Sequence, residues 1–227
     1  MANRYGPGIP ANGLELCFDR DNNKGGSAHS GYGREQITGA ANASVNPTWA
    51  NNITQMTIIA VIKVNGNDQG YAYHPISKWN NNYSNNTSFV LYHFQDYQGS
   101  NPNSANRMTW YGNNTAANGT GWGGLCGAGS YHAVQGKTHM IVAQFNSTDG
   151  GQMWTGVDGA ISKHGGRGSS GARGQTSVNS TTGNMVVYGP TDYNSIQAQY
   201  WTGFWSRELS DDEIVQVFDA HKGRFNI

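Results

Sequence analysis

Gln199-Tyr-Trp-Thr-Gly-Phe-Trp-Ser-Arg-Glu-Leu-Ser-Asp-Asp-Glu-Ile214 runs a glycine-bearing aromatic strand straight into a helix start. Ser210 is a preferred N-cap, and Glu213, three residues on, is placed to reach back to the Ser210 amide and complete a capping box. Leu209 before the cap and Ile214 beyond it supply the two halves of a hydrophobic staple. Asp211 and Asp212 put negative charge on the positive end of the helix dipole. Ile214, Val217, Phe218 and His221 then recur at helical spacing on one face, and Gly223 after Lys222 is expected to stop the helix. The stretch predicts one short amphipathic helix behind an aromatic strand.

Outward from that block the chain reads as strands. Leucine is scarce while Ile, Val, Trp and Tyr are plentiful, a preference suited to pleated, half-buried surfaces. Gly13–Asp19 alternates apolar and polar residues and ends in a polar turn, so it reads as an opening strand. Residues 54–64 put Met56, Ile58, Ala60, Ile62 and Val64 on one face while Ile59 and Val61 thicken the other, which predicts a central strand covered on both sides. Tyr73–Trp79 and Ser88–Phe94 read as a hairpin with a long Asn-rich tip, followed by strands at Arg107–Tyr111, His139–Phe145 and Gln152–Val157. Asp158-Gly159, between Val157 and Ala160-Ile-Ser162, is the strongest two-residue hairpin signal, because a type I′ turn needs positive φ at both positions. Met185–Tyr188 and Tyr200–Arg207 complete the set. At 227 residues the chain is expected to form one domain, 1–227, since β-sandwiches of roughly 200–250 residues commonly fold undivided.

Composition narrows the partners. Charged residues make up 12% of the chain, balanced at 14 basic and 14 acidic, so no field exists to draw in nucleic acid or an anionic membrane. No run of ~18 apolar residues reads as a membrane span and no apolar leader reads as a signal peptide, which predicts folding in a cytoplasm. Cys17 and Cys126 are too few for a disulfide framework or a zinc site. They read as buried free thiols, with a single long-range bridge as the alternative.

Motifs that carry chemistry are sparse. Gly166-Arg-Gly-Ser-Ser-Gly171 has the spacing of a dinucleotide loop, but no parallel βαβ unit surrounds it. Asp19, Asp21 and Asn23 imitate the first ligands of a calcium loop, yet Lys24 and Ser30 stand where an EF-hand needs Gly and Glu, so a turn after a strand is the plainer account. No cofactor is expected otherwise. Neither a Gly-x-Ser-x-Gly elbow nor a His-Glu-x-x-His helix is present, and the acidic cluster Asp211-Asp212-Glu213 is explained by helix capping. Trp79, Trp110, Tyr111, Trp122 and Tyr131 lie in or beside long loops and are candidates for stacking platforms under sugar rings, ringed by Asn donors; the competing reading places such aromatics in the core.

The closing block also resembles a family. Gly203-Phe-Trp-Ser-Arg-Glu-Leu-Ser-Asp-Asp-Glu-Ile214 is similar to the last strand and helix of laminin-G-like, concanavalin A-like jelly-roll domains, where a glycine and an apolar strand lead through an Arg to Leu-Ser-x-x-Glu-Ile. Lys222–Ile227 resembles the final residues of bacteriophage virion proteins that carry this domain, with Asn226 where Gly is usual. Gly13–Asp19 and Met56–Lys63 resemble their first strand and the strand after their first long loop. The resemblance implies an all-β jelly-roll β-sandwich of two antiparallel sheets with one short C-terminal helix, lying across an edge or end. It further implies a non-enzymatic virion structural protein, a capsid decoration (cement) protein or a tail- or fibre-associated domain. The partners would be the major capsid or other virion proteins, with self-association as a trimer or dimer. The alternative is a lectin-like module for cell-surface glycans. Glycosidases on this fold carry Glu, Asp and Glu at alternate inward positions of one strand, and no such run exists here. His139 matches a position where the family often has a structural His at a strand start.

Overall fold

A computed structural model describes residues 8–19, 35–37, 43–45, 47–64, 72–79, 87–95, 106–112, 125–126, 136–146, 152–162, 185–187 and 196–227. The strands are β1 Leu14–Asp19, β2 Glu35–Ile37, β3 Ala43–Val45, β4 Gln55–Val64, β5 Ala72–Trp79, β6 Thr87–Gln95, β7 Asn106–Gly112, β8 Leu125–Cys126, β9 Thr138–Asn146, β10 Gln152–Val157, β11 Ala160–Ser162, β12 Met185–Val187 and β13 Ile196–Trp205. A 3₁₀ turn covers Thr48–Ala50, and α1 spans Asp211–Phe225. The strands form a seven-stranded sheet, β11-β10-β9-β4-β13-β1-β2, and a six-stranded sheet, β3-β12-β5-β6-β7-β8. This is the expected jelly-roll sandwich, with one departure. Among the described strands pairing is antiparallel except between β1 and β2, which run parallel at a sheet edge.

β4 sits in the middle of its sheet and its two apolar faces serve two separate cores. Ile58, Ala60 and Ile62 join Leu16, Phe18, Ile141, Ala143 and Phe204, and meet Ile76, Phe89, Leu91 and Met185 of the other sheet. Ile59 and Val61 point the opposite way, into a second cluster with Met140, Val142, Trp201, Trp205, Leu209, Ile214, Val217 and Phe225. The second cluster lies beneath α1. The helix therefore covers the outer face of the seven-stranded sheet rather than an edge or end. The physical reason is the run of apolar residues on both faces of β4, which leaves a face that only another layer can remove from water.

The closing aromatics divide between the same two clusters. Phe204 fills the core between the sheets, whereas Trp201 and Trp205 lie on the helix side, their ring centroids 6.1 Å apart. Between them stands Gly203. A Cβ there would come within 2.5 Å of the Trp201 ring and 2.6 Å of the Trp205 ring. The glycine lets two indoles close over the backbone of a strand. β13 begins at Ile196, earlier than its alternation suggests, because register shifts between Ile196 and Ala198 and between Gln199 and Trp201 interrupt the two-residue period. β2, β3 and β8 were not legible, since two or three residues carry no period to read.

The capping box at Ser210 and Glu213 forms as the spacing predicts. The helix end does not. Gly223 is inside α1, which continues to a left-handed Asn226 at φ 53°, ψ 51°. Phe225 extends the face of Ile214, Val217 and His221 by one more turn, and its burial outweighs the roughly 1 kcal/mol that glycine costs in a helix. The left-handed position that a terminating glycine would serve falls at Asn226, a residue type that tolerates it. The Asp158–Gly159 turn has φ of 53° and 81°, as a type I′ hairpin requires. Asp158 also ties that hairpin to β9. Its Oδ1 accepts from the Met140 amide at 2.8 Å and its Oδ2 lies 2.7 Å from His139 Nδ1. Phe218 of α1 packs over Gly159, 3.2 Å from where a Cβ would stand.

Two glycines in the same block should thus respond oppositely to one added methyl. Gly203→Ala is expected to lower the unfolding free energy by about 2–3 kcal/mol by overpacking. Gly223→Ala, with open space around its Cβ, should raise it by about 0.5–1 kcal/mol through helix propensity. Urea unfolding of both variants against the parent checks this.

Candidate functional site

The chain turns from β13 into α1 through a corner built from polar side chains at apolar-face positions. Thr57 and Gln144 sit on the helix side of β4 and β9, and both are buried. Thr57 Oγ1 donates to the Arg207 carbonyl at 2.9 Å and accepts from the Leu209 amide at 2.9 Å. Gln144 Nε2 donates to Thr57 Oγ1 at 3.1 Å and to the Leu209 carbonyl at 2.8 Å. These bonds satisfy backbone groups that a reversing chain would otherwise bury unpaired. Arg207 completes the corner. Its Nε donates to the Asn12 carbonyl at 2.8 Å, and its two terminal nitrogens grip Glu213 at 2.8 and 2.5 Å. Glu213 thereby serves the capping box and the ion pair together, and the guanidinium holds its carboxyl down to about 2. Gly13, at φ 75°, lets the Arg207 stem pass 3.1 Å from its missing Cβ. The Gly13, Arg207 and Glu213 positions of the sequence pattern are one physical unit.

Outside this corner an open groove of about 520 Å³ is lined by Gln55, Asn146, Glu208, Leu209, Ser210, Asp211 and Asp212. Asn146 Nδ2 donates to Glu208 Oε2 at 2.5 Å, and Gln55 Nε2 to Asn146 Oδ1 at 3.4 Å. Carboxylate and amide oxygens of this kind suit hydroxyl or cationic donors. Asp211 and Asp212 also have a sufficient local role at the helix dipole.

The calcium candidates separate. Asp19 closes β1, and its two oxygens accept from Arg224 at 2.6 Å each, which fastens the last turn of α1 to the sheet. Asp21 and Asn23 lie outside the described residues. Among the described residues no group of three or more His, Cys, Asp or Glu is placed to hold a metal ion. Cys17 is a free buried thiol, so a bridge to Cys126 is not formed. Burial, with Asp19 nearby, pushes its thiol up to about 12.

Three of the five aromatic candidates, Trp79, Trp110 and Tyr111, fall on the six-stranded sheet. β5 ends at Trp79, and β7 carries Trp110 and Tyr111 just before its end at Gly112. Antiparallel pairing sets Trp79 opposite Thr87, and Phe89 opposite Gly112. Trp79, Tyr111 and both ends of the 80–86 and 113–124 connections therefore share one end of that sheet. Trp110 stands opposite the core residue Leu91 and Tyr111 opposite Val90, so the two occupy positions on opposite faces. Trp122 and Tyr131 lie outside the described residues.

Lys78 and Gln199, like Thr57 and Gln144, are buried polar side chains that the sequence does not single out. Lys78, fully buried on β5, donates from Nζ to the Pro47 carbonyl at 3.1 Å and to Asn51 Oδ1, and burial pushes its ammonium down. Gln199 of β13 donates across to the Pro75 carbonyl of β5 at 3.0 Å, linking the sheets. The signal for Lys78 was available, since it is a polar residue two positions from Ile76, on a core face.

No family model matches the chain, and no curated protein sequence matches it. Solved structures similar to it include a heptameric SAP-like pentraxin from Limulus polyphemus, with 13% identity, a TM-score of 0.45 and coverage of 74% of this chain and 71% of that one. The CBM40 module of a Ruminococcus gnavus IT-sialidase, bound to α2,3 sialyllactose, gives 14% identity, a TM-score of 0.49 and 80% and 95% coverage. The botulinum neurotoxin serotype G binding domain gives 13%, 0.46, and 73% of this chain against 36% of that one.

The corner makes an acid-stability prediction. Glu213 has a folded value near 2 against an ordinary 4.5, so its contribution is present above pH 4.5 and lost as pH falls toward 2. Glu213→Gln keeps an acceptor for the Ser210 amide but not the charge. It should cost on the order of 1 kcal/mol at neutral pH, after solvent screening, and flatten the fall below pH 4.5. Unfolding free energies measured from pH 7 to 2.5 test the difference.

Proposed function

We propose that this chain is a non-enzymatic recognition module that binds a neutral glycan at one end of its six-stranded sheet. The observation that carries this reading is that Trp79 and Tyr111 share that end, where the chain leaves the sheet into the sequences Asn80-Asn-Asn-Tyr-Ser-Asn-Asn86 and 113–124. Aromatic faces stack on the apolar side of a pyranose ring, and Asn side chains both donate to and accept from its hydroxyls. The outer face of the opposite sheet is occupied by α1. A near-neutral chain also suits an uncharged ligand that needs no long-range steering.

A second reading, a virion structural protein of a bacteriophage, draws on the likeness of the first strand and the tail. Part of that likeness has a folding cause. In Lys222–Ile227, Phe225 is buried, Asn226 takes the left-handed cap and the Ile227 amide donates to the Lys222 carbonyl at 3.1 Å. A tail that must perform these tasks is constrained by the fold wherever the protein works. Sugar binding and virion attachment are compatible.

A glycan array read with and without calcium tests the first reading. The expected result is binding to uncharged saccharides, unchanged by chelator, and weakened about tenfold (about 1.4 kcal/mol) by Tyr111→Ala with the melting temperature retained. A blank array under both conditions sinks it. Quantitative mass spectrometry of purified particles tests the second: near-stoichiometric copies relative to the shell protein mark a decoration protein, a few copies mark a tail or fibre component, and absence removes the virion.

A further inference from the structure

His221 is buried at 3% exposure in the middle of the layer between α1 and the seven-stranded sheet. Its ring lies 4.3 Å from the Trp201 ring and 5.7 Å from the nearly parallel ring of Phe225. Nδ1 is 2.7 Å from the Val217 carbonyl, which can only accept, so Nδ1 carries the hydrogen and the neutral ring's lone pair is on Nε2. A proton arriving at Nε2 would create a cation among Ile214, Val217, Trp201, Trp205 and Phe225.

The groups around it provide little to receive that charge. From β1, Asp19 faces this region, but both its oxygens are held by Arg224, and Cys17 remains a neutral thiol. From α1 itself, Arg224 adds a repelling charge, while Asp219 and Lys222 pair with each other at the exposed surface. β13 contributes the two indoles and Tyr200, stacked on Phe225; β4 and β9 contribute Ile59, Val61, Met140 and Val142. Burial holds His221 below its ordinary value, outweighing the Val217 carbonyl.

We propose that protonation of His221 is an acid-triggered release for the C-terminal helix, opening α1 from the seven-stranded sheet while the core between the two sheets stays folded. The sign follows from linkage. The open state binds the proton at the ordinary histidine value and the docked state only below it, so docking is fully stable above about pH 6.5 and weakens as pH falls through it. The separation of the two apolar clusters on either face of β4 and β9 allows one to open without the other.

The experiment is hydrogen exchange of the full chain, followed by mass spectrometry at about pH 7 and about pH 5.5 and corrected for the intrinsic exchange rate. The opening of α1 amides should increase by up to about tenfold per pH unit below pH 6.5, with β4 and β9 unchanged, and His221→Phe should abolish the increase. Constant protection of α1, simultaneous loss of α1 and β4, or an equal increase in His221→Phe would overturn the proposal. Should that variant not fold, the His221 ring titration followed by NMR in the parent chain decides. A midpoint below the ordinary value, moving together with the Trp201 indole signal, supports the switch, and an ordinary midpoint with an unmoved indole rejects it.

Discussion

β13 has to serve two cores at once, and the geometry at Gly203 is the constraint on which both depend. Phe204 enters the space between the sheets, 5.1 Å from Trp49 and 5.5 Å from Phe89 between ring centroids. On the other face Trp201 and Trp205 close over Gly203 and present the surface on which α1 rests. A side chain at 203 would hold the indoles apart and lift the helix. The Trp205 indole also donates to the Pro10 carbonyl at 2.8 Å, so the segment before β1 is fixed by the same residue. Ile9 packs on that cluster, and Gln216 of α1 donates to the Gly8 carbonyl. One strand thereby connects the sandwich, the helix and the chain's opening segment.

Few charges are present, and the described arginines of this region spend theirs on holding the helix. Arg207 binds Glu213 at its first turn and Arg224 binds Asp19 from its last. The two clamps reach opposite ends of β1, one at the Asn12–Gly13 turn and the other at Asp19. Such half-exposed bidentate pairs contribute modest energy but fix direction well. They set where α1 lies on a face whose apolar contacts alone would permit sliding. Beneath it, Thr57 and Gln144 solve a different problem, satisfying the backbone at a buried corner where no strand or helix partner is available.

The buried polar groups between the sheets show the same economy. Gln199 reaches the Pro75 carbonyl where the β5 register is interrupted, and Lys78 holds the 47–51 turn against β5. Each places its polar atom on a backbone or amide oxygen that would otherwise be stranded in an apolar layer. Such pins specify how the two sheets align, which close-packed Ile, Val and Phe side chains do less sharply.

The helix start, the Asp158–Gly159 turn and the two-faced character of β4 were determined by sequence alone, because each rests on interactions or periods spanning only a few residues. The aromatic candidates were legible as residues, but that Trp79 and Tyr111 share one end of the six-stranded sheet was not, since strand register depends on pairing with segments elsewhere in the chain. Tertiary structure decided which face α1 covers, why position 203 excludes a side chain and what Asp19 holds. It also carried the helix past Gly223, because burial of Phe225 against a distant strand outweighs a local preference. The division follows from range: caps and turns are closed by neighbours in sequence, whereas burial and ion pairing bring together residues as far apart as Asp19 and Arg224, which no local pattern relates.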